Sequence, residues 1–300
     1  MGPQGERFDA ARALVEALRP RHWIKNLFVV APWGFAGELG NPSAAARALA
    51  AFAIFCGLSS AVYLVNDVAD READRFHPKK RDRPVASGRL TVAAASLAAA
   101  GLFAVGLSGA ILLGRSFAAA AAVYAGLNLA YSFALKRVVI LDVMSVSAGF
   151  LLRAWGGALA IGAEVSHWLV LCTVLLSLFL GFVKRRQELV SLGGASSVHR
   201  PILAEYSVSF LDQMITVAAA ATVLAYALYA FSPEVAEKLR TRHMGWTLPF
   251  VLFGIFRYLY LVHQRGEGDN PTAVLLGDRP LLVAIAAWAV SAVLAIYVWP

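Results

Sequence analysis

The chain has 300 residues, 59% of them hydrophobic and 15% charged, with a formal net charge of +8. Its apolar residues gather in blocks close to the ~20 residues that cross a bilayer, which excludes a soluble globule and defines an all-α polytopic membrane protein. The positive charge does not indicate nucleic-acid binding, because the bases sit at the edges of the apolar blocks and no recognition helix accompanies them.

Residues 1–22 mix acids with bases and lack an apolar centre, so they read as a cytoplasmic segment and not as a signal peptide. Beyond them about nine spans are predicted, at 24–38, 45–66, 90–112, 116–135, 138–160, 167–183, 209–230, 245–262 and 281–298. The first and eighth are short for a full crossing, and several are rich in Ala and Gly, which lets helices approach closely in lipid. With the N-terminus in the cytoplasm, twenty of the 27 Lys and Arg fall on cytoplasmic segments. Arg47, Arg115, Lys238, Arg240 and Arg242 then lie outside, and Arg153 and Arg257 lie within spans. The positive-inside bias sets this orientation, with the C-terminus outside after an odd number of crossings. Short connections and two longer cytoplasmic loops, 67–89 and 184–208, predict one integral domain over 1–300. Cys56 and Cys172 both fall in spans and suggest neither a disulfide framework nor a zinc site.

The second span runs into Asn66-Asp67-Val68-Ala69-Asp70-Arg71-Glu72-Ala73-Asp74. If the helix continues, Asn66, Asp70 and Asp74 recur at i, i+4 and i+8, and Asp67 joins from the adjacent face. Carboxylates beside an amide suit a hard divalent cation such as Mg2+, with Mn2+ as a substitute; water and substrate phosphates complete such a shell. Lys79, Lys80, Arg81 and Arg83 follow, and Pro78, Pro84 and Gly88 bend the loop so that these bases can fold back toward the acids. The pattern describes a diphosphate site, in which the cation neutralises a leaving diphosphate and the bases hold its oxygens. Glu72 points elsewhere on the helix, and His77 reads as a turn residue.

Tyr131, Ser132, Lys136, Arg137, Asp142 and Arg153 are polar positions in an otherwise apolar stretch. Lys136 faces the cytoplasmic edge, Asp142 lies deeper, and Arg153 falls well inside the fifth span. Ionisable groups in a bilayer are costly and face a bundle interior or a cavity, which makes Asp142 and Arg153 site candidates. A structural ion pair between helices is the other reading of Asp142. Past the sixth span comes Lys184-Arg185-Arg186-Gln187-Glu188, where Lys184 and Glu188 form an i,i+4 pair and Arg185 extends the basic surface. Gly193, Gly194, Ser196 and Ser197 make a link without the strand-loop-helix context of a nucleotide-binding loop.

The 66–74 segment resembles the first Asp-rich signature of the UbiA prenyltransferase superfamily. Arg21-His22-Trp23-Ile24-Lys25-Asn26, the His77-to-Gly88 stretch, Tyr131-Ser132-Phe133-Ala134-Leu135-Lys136 and Leu141-Asp142-Val143 are similar to its branch of polyprenyl-phosphate phosphoribosyltransferases. The chain departs from many members after the sixth span, where bases at 184–186 stand in place of a second acidic motif. The resemblance implies a UbiA-like helical bundle with a cytoplasmic-facing polar cavity, in the plasma membrane. It implies Mg2+-dependent transfer of 5-phosphoribose from phosphoribosyl pyrophosphate to decaprenyl or another polyprenyl phosphate. Diphosphate leaves, and decaprenylphosphoryl-5-phosphoribose forms for cell-wall arabinan.

In that reading Asn66, Asp67, Asp70 and Asp74 hold the metal, and Lys136 and Asp142 join the three aspartates in catalysis. Lys25, Tyr131, Arg153, Lys184, Arg185 and Glu188 bind substrate together with Asn66, Lys79, Lys80, Arg81 and Arg83. The partners are these two substrates and membrane lipid; the oligomeric state is left open. Two alternatives carry different chemistry. A conventional UbiA-type aromatic prenyltransferase would use the same acidic cluster with a prenyl diphosphate donor, and a transporter would line its path with Asp142 and Arg153.

Overall fold

A computed structural model describes residues 3–76, 78, 80–192, 201–268 and 271–299. Among these residues the chain is helical, with α1 (Pro3–Leu18), α2 (Leu27–Phe35), α3 (Pro42–Ala69), α4 (Arg71–Phe76), α5 (Val92–Leu113), α6 (Arg115–Phe133) and α7 (Leu141–Ile161). There follow α8 (His167–Leu192), α9 (Val208–Phe231), α10 (Pro233–Leu239), α11 (Leu248–Gln264), α12 (Pro271–Gly277) and α13 (Arg279–Tyr297). Among the described residues, eight helical stretches are long and apolar enough to cross a membrane: α3, α5 to α9, α11 with its preceding 3-10 turn, and α13. They match the last eight predicted spans.

The first predicted span, 24–38, takes a different form. A 3-10 segment, Pro20–Asn26, leads into α2, which has nine residues and a proline, Pro32, inside it. At 1.5 Å per residue α2 is about 13 Å long, too short to cross by itself. The segment is nonetheless a passage along α3: Arg19 before it touches Asp67 near the end of α3, and Pro42 after it begins α3, so residues 20–41 cover the length of that helix with a broken backbone.

The chain divides into two compact units, 1–32 with 42–138 and 152–163, and 33–41 with 139–151 and 164–300. In the first unit α3 packs on α5 and α6. Its core holds Val29, Phe55, Leu58, Phe117 and Tyr124, with Phe55 edge-on to Phe117 and Tyr124 at 5.9 and 5.0 Å. Edge-to-face rings gain electrostatically as well as by burial. A second cluster joins Ala13 and Ala17 of α1 to Leu64, Val85, Leu90 and Ala95. Arg47, near the start of α3, donates to Ala160 O at 2.5 Å and Leu113 O at 2.6 Å. These are carbonyls that the last turns of α7 and α5 leave without helical partners.

The second unit packs α8 on α9, α9 on α11 and α11 on α13, around Phe179, Leu211, Ile215, Tyr258 and Leu261. Ser147 and Ser177 share a 2.7 Å hydrogen bond between the first half of α7 and α8. Arg257 grips Asp278 with two bonds of 3.1 and 2.7 Å, and Asp278 accepts from Leu281 N at 2.9 Å to cap α13. The Arg257 guanidinium holds the Asp278 carboxyl below its usual range.

Gly157 shows how closely the first unit is packed. A Cβ at this position would lie 1.9 Å from the carbonyl oxygen of Val29, so the backbones of α7 and α2 touch where no side chain intervenes. Gly157→Ala should therefore destabilise the protein by at least about 1–3 kcal/mol through overpacking, read as a lower melting temperature in detergent. Gly126→Ala, with nothing within 4 Å of its Cβ, should leave melting unchanged or slightly raised.

Candidate functional site

The acidic signature keeps its helical spacing across a short interruption. Helix α3 ends at Ala69 and α4 begins at Arg71, yet Asp70 N still donates to Asn66 O at 2.9 Å and Asp74 N to Asp70 O at 2.8 Å. Asn66, Asp70 and Asp74 thus stay near one face, as their i,i+4 recurrence predicts. Asp67 is 1% exposed, and a charge so buried demands pairing.

Four bases meet these acids. Arg19 Nη2 donates to Asp67 Oδ1 at 2.5 Å, and Arg83 Nη1 donates to the same oxygen at 3.2 Å and to Asp74 Oδ2 at 2.6 Å. Lys80 lies 4.0 Å from Asp74, and Lys136 donates to Asp70 Oδ1 at 2.6 Å. The loop after α4 folds back as its prolines and Gly88 suggest. Arg83 N and Leu90 N close turns on Lys80 O and Pro84 O at 3.0 and 2.8 Å, and Gly88 takes a positive φ of 82°. Arg75 donates to Ala86 O at 3.2 Å, while Arg89 holds Glu16 of α1 with bonds of 2.7 and 3.0 Å. Glu72 turns outward to Arg75 at 3.2 Å, and Arg81 is exposed. His77, Lys79 and the 193–200 stretch of the second long loop lie outside the described residues.

These oxygen donors fit a hard divalent cation. Asp67 Oδ2 is buried and has no hydrogen-bond partner among the described residues, so one oxygen of the innermost carboxylate remains available to a ligand. Among the described residues no three acidic, His or Cys side chains already converge on one point.

A further polar group lies within the first unit. Arg153 of α7 is buried; its Nε donates to Asn26 Oδ1 at 2.8 Å and its Nη2 to the Tyr124 hydroxyl at 2.7 Å. The guanidinium also stands 4.8 Å over the Tyr124 ring. Asn26 Nδ2 in turn donates to Ser59 Oγ at 3.2 Å, and half-buried Lys25 precedes Asn26 on the 3-10 segment. Tyr131 sits on the last turn of α6, half-buried.

Asp142, Lys184, Arg185 and Glu188 belong to the second unit. Asp142 is fully buried, accepts from the Tyr206 hydroxyl at 2.8 Å and pairs with Arg185 Nε at 2.7 Å. Arg185 also bonds Glu188, which stands 3.9 Å from Lys184. Burial chiefly pushes the Tyr206 hydroxyl up to about 12, so it stays protonated and donates to the carboxylate. Arg186 turns to Asp212 at 2.5 Å, and His263 Nε2 lies 3.2 Å from the same oxygen. Asp142 therefore tethers α7, α8 and the connector before α9. Arg19, Tyr124 and Asn26 were not singled out from sequence as separate ligands or supports; of the three, only Asn26 stood in a recognised motif, Arg21-His22-Trp23-Ile24-Lys25-Asn26.

A helical membrane bundle with an aspartate-rich, base-lined site is the class that this geometry defines, and comparison with known proteins agrees. The profile of the UbiA prenyltransferase family matches residues 27–274, and the chain belongs to that family. It is similar along most of its length to decaprenyl-phosphate phosphoribosyltransferases. That of Corynebacterium glutamicum is 37% identical over 298 residues, covering 97% of this chain and 89% of the relative. That of Mycolicibacterium smegmatis is 38% identical over 296 residues, covering 95% and 92%. A solved UbiA homolog from Archaeoglobus fulgidus bound to GPP and Mg2+ shares the fold, with a TM-score of 0.72 at 19% identity, over 95% of this chain and 99% of that one.

The two kinds of aspartate should separate by stability. Asp142→Ala leaves Arg185 buried with less compensation and should cost about 3 kcal/mol or more. Asp70→Ala, at a half-exposed pair, should cost under about 1 kcal/mol. Denaturant unfolding of the two variants in the same detergent measures the contrast.

Proposed function

We propose that the protein transfers 5-phosphoribose from phosphoribosyl pyrophosphate to a polyprenyl phosphate, decaprenyl phosphate in the named relatives, and releases diphosphate. The observation that carries this reading is the interleaving of Asp67, Asp70 and Asp74 with Arg83, Lys80 and Lys136 at one end of the first unit. Acids placed among bases suit a metal-bound polyanion. The full-length likeness to two phosphoribosyltransferases supports the choice of substrates.

Asn66, Asp67, Asp70 and Asp74 would hold Mg2+. When bound, it neutralises charge that develops on the leaving diphosphate. Arg83, Lys80, Arg81 and Lys136 hold the diphosphate oxygens, and Tyr131 lines the same end of α6. The acceptor phosphate oxygen attacks the anomeric carbon from the side opposite the diphosphate; the new C–O bond forms as the old one breaks. That oxygen is already anionic, so the chain needs no strong base and supplies alignment and electrostatic stabilisation. Lys25 and Arg153 hold the acceptor phosphate. In the second unit Lys184 is the anion ligand, whereas the buried Arg185, expected from sequence to bind substrate, is committed to Asp142 and Glu188. The positive-inside bias supports a cytoplasmic N-terminus and acidic cluster at the plasma membrane.

Purified protein supplied with Mg2+, phosphoribosyl pyrophosphate and polyprenyl phosphate should form a lipid-linked phosphoribose and free diphosphate. A chelator should stop the reaction, and Asp70→Asn should lower kcat by about 100-fold or more while the melting curve stays close to that of the parent. Folded protein that makes no such lipid, yet joins a prenyl diphosphate to an aromatic acceptor, would overturn the assignment.

Lys25 supplies a pH signature. It lies in the 3-10 segment outside the long helices; burial first, then Arg153 and Arg19, brings its ammonium down to about 8. The group is charged below that pH and neutral above it, so its hold on phosphate weakens as pH rises. Since kcat/KM reports groups of the free enzyme, kcat/KM for the acceptor should fall above about pH 8. Lys25→Arg keeps its charge throughout and should flatten that alkaline limb; an unchanged limb in this variant removes Lys25 from the role.

A further inference from the structure

Arg19 enters none of the motifs that mark the site, yet its geometry is the most constrained at the acidic end of the first unit. It lies between α1 and the 3-10 segment, immediately before Pro20, with φ 54° and ψ 59°. A non-glycine residue in this left-handed region costs on the order of 1–2 kcal/mol. A glycine would make the same turn at no steric cost, so the turn itself does not call for an arginine and the side chain's contacts are what distinguish it.

That side chain is held on two sides. Its guanidinium stands 4.8 Å over the ring of Tyr63, and His22 meets the same ring edge-on at 5.4 Å. Tyr63 lies four residues before Asp67, one turn back along α3, so the ring forms a shelf beside the carboxylate. From this shelf Arg19 Nη2 reaches Asp67 Oδ1 at 2.5 Å. The other base at Oδ1, Arg83, approaches only to 3.2 Å and lies closer to Asp74, at 2.6 Å. Arg19 is therefore the principal counter-charge of Asp67.

The two carboxylate oxygens are thereby divided. Oδ1 takes the guanidinium donors, while Oδ2, buried, has no hydrogen-bond partner among the described residues. We infer that Arg19, braced on Tyr63, is the positioning residue of the metal-diphosphate site: by occupying Oδ1 it locks the rotation of Asp67 and presents Oδ2 to the cation. The inference rests on the Mg2+ reading given above. Arg19 acts through Asp67, in the way that outer partners orient metal ligands and tune their affinity.

Mn2+ binding, followed by its electron paramagnetic resonance signal, tests this on the full-length protein in detergent with saturating inorganic diphosphate. Arg19→Gln and Arg19→Gly should each lower Mn2+ affinity about 10- to 100-fold, the range for lost outer partners. Arg19→Lys, which keeps the charge without the fork and the ring stack, should fall in between. Arg19→Gly keeps the turn and relieves its strain, so a melting temperature near that of the parent together with lost affinity separates positioning from folding. Tyr63→Leu leaves Arg19 in place but removes its shelf, and should weaken Mn2+ several-fold even if the Arg19 variants fold poorly.

Parent-like or tighter Mn2+ binding in the folded Arg19 variants, or unchanged binding in Tyr63→Leu, would overturn the inference. Failure of the parent itself to bind Mn2+ would instead overturn the metal reading beneath it, and this inference with it. Because inorganic diphosphate is the probe, the result does not depend on which donor the enzyme uses.

Discussion

A carboxylate at the end of an apolar helix can keep its charge only if basic groups reach it, and the acidic end of the first unit is organised around meeting that demand at Asp67. Withdrawing such an ion from water without a partner costs several kcal/mol. The chain answers with one arginine from before α3 and one from after it. To deliver Arg83, the 78–90 loop must close its turns; to deliver Arg19, the backbone must take a left-handed step. Arg89 then ties that loop to Glu16 of α1. Segments distant in sequence are ordered by the requirement of one buried charge, and the same ordering sets bases among the remaining aspartates.

The second unit applies this logic without an acidic signature. Successive residues on a helix point about 100° apart, so Lys184, Arg185 and Arg186 cannot serve one purpose. Arg185 turns inward to Asp142 and Glu188, Arg186 turns to Asp212 on α9, and Lys184 stays the most accessible of the three. A run that reads as a uniform basic surface is divided by helical phase into two helix-to-helix ties and one outward cation. Asp142 shows the complementary case: a carboxylate deep in a span whose partners, Tyr206 and Arg185, make it an anchor for three elements.

The long helices were legible because length and apolarity suffice for a span, and eight predicted segments stand where the sequence placed them. The first is not one continuous helix, because apolarity does not report backbone breaks: Pro20 opens a 3-10 turn and Pro32 sits inside the short α2. The acidic cluster was legible because its i,i+4 recurrence is local, and backbone bonds preserve it across the interruption at Asp70. Arg19 was not, since its partner lies 48 residues away and a single arginine before a proline has no periodicity to betray it. The pairing of Tyr206 with Asp142, 64 residues apart, was obscured for the same reason, although Asp142 itself stood out as a charge inside a span. The likeness to phosphoribosyltransferases could be read from local motifs, whereas the pairing of bases with acids required the fold.

Helix α3 carries a charged side chain as a fastening at each end. Arg47 grips the terminal carbonyls of α5 and α7, and Asp67 grips Arg19 and Arg83; the helical rise between them is about 30 Å. That matches the hydrocarbon thickness of an ordinary bilayer. The helix is thus a fixed ruler rather than a sliding rod. In a thinner or thicker membrane it must tilt, or the lipid must deform around it, because neither end can retreat along the axis without breaking its bonds. The depth of the acidic cluster is set by the protein, and the surrounding lipid has to adjust to it.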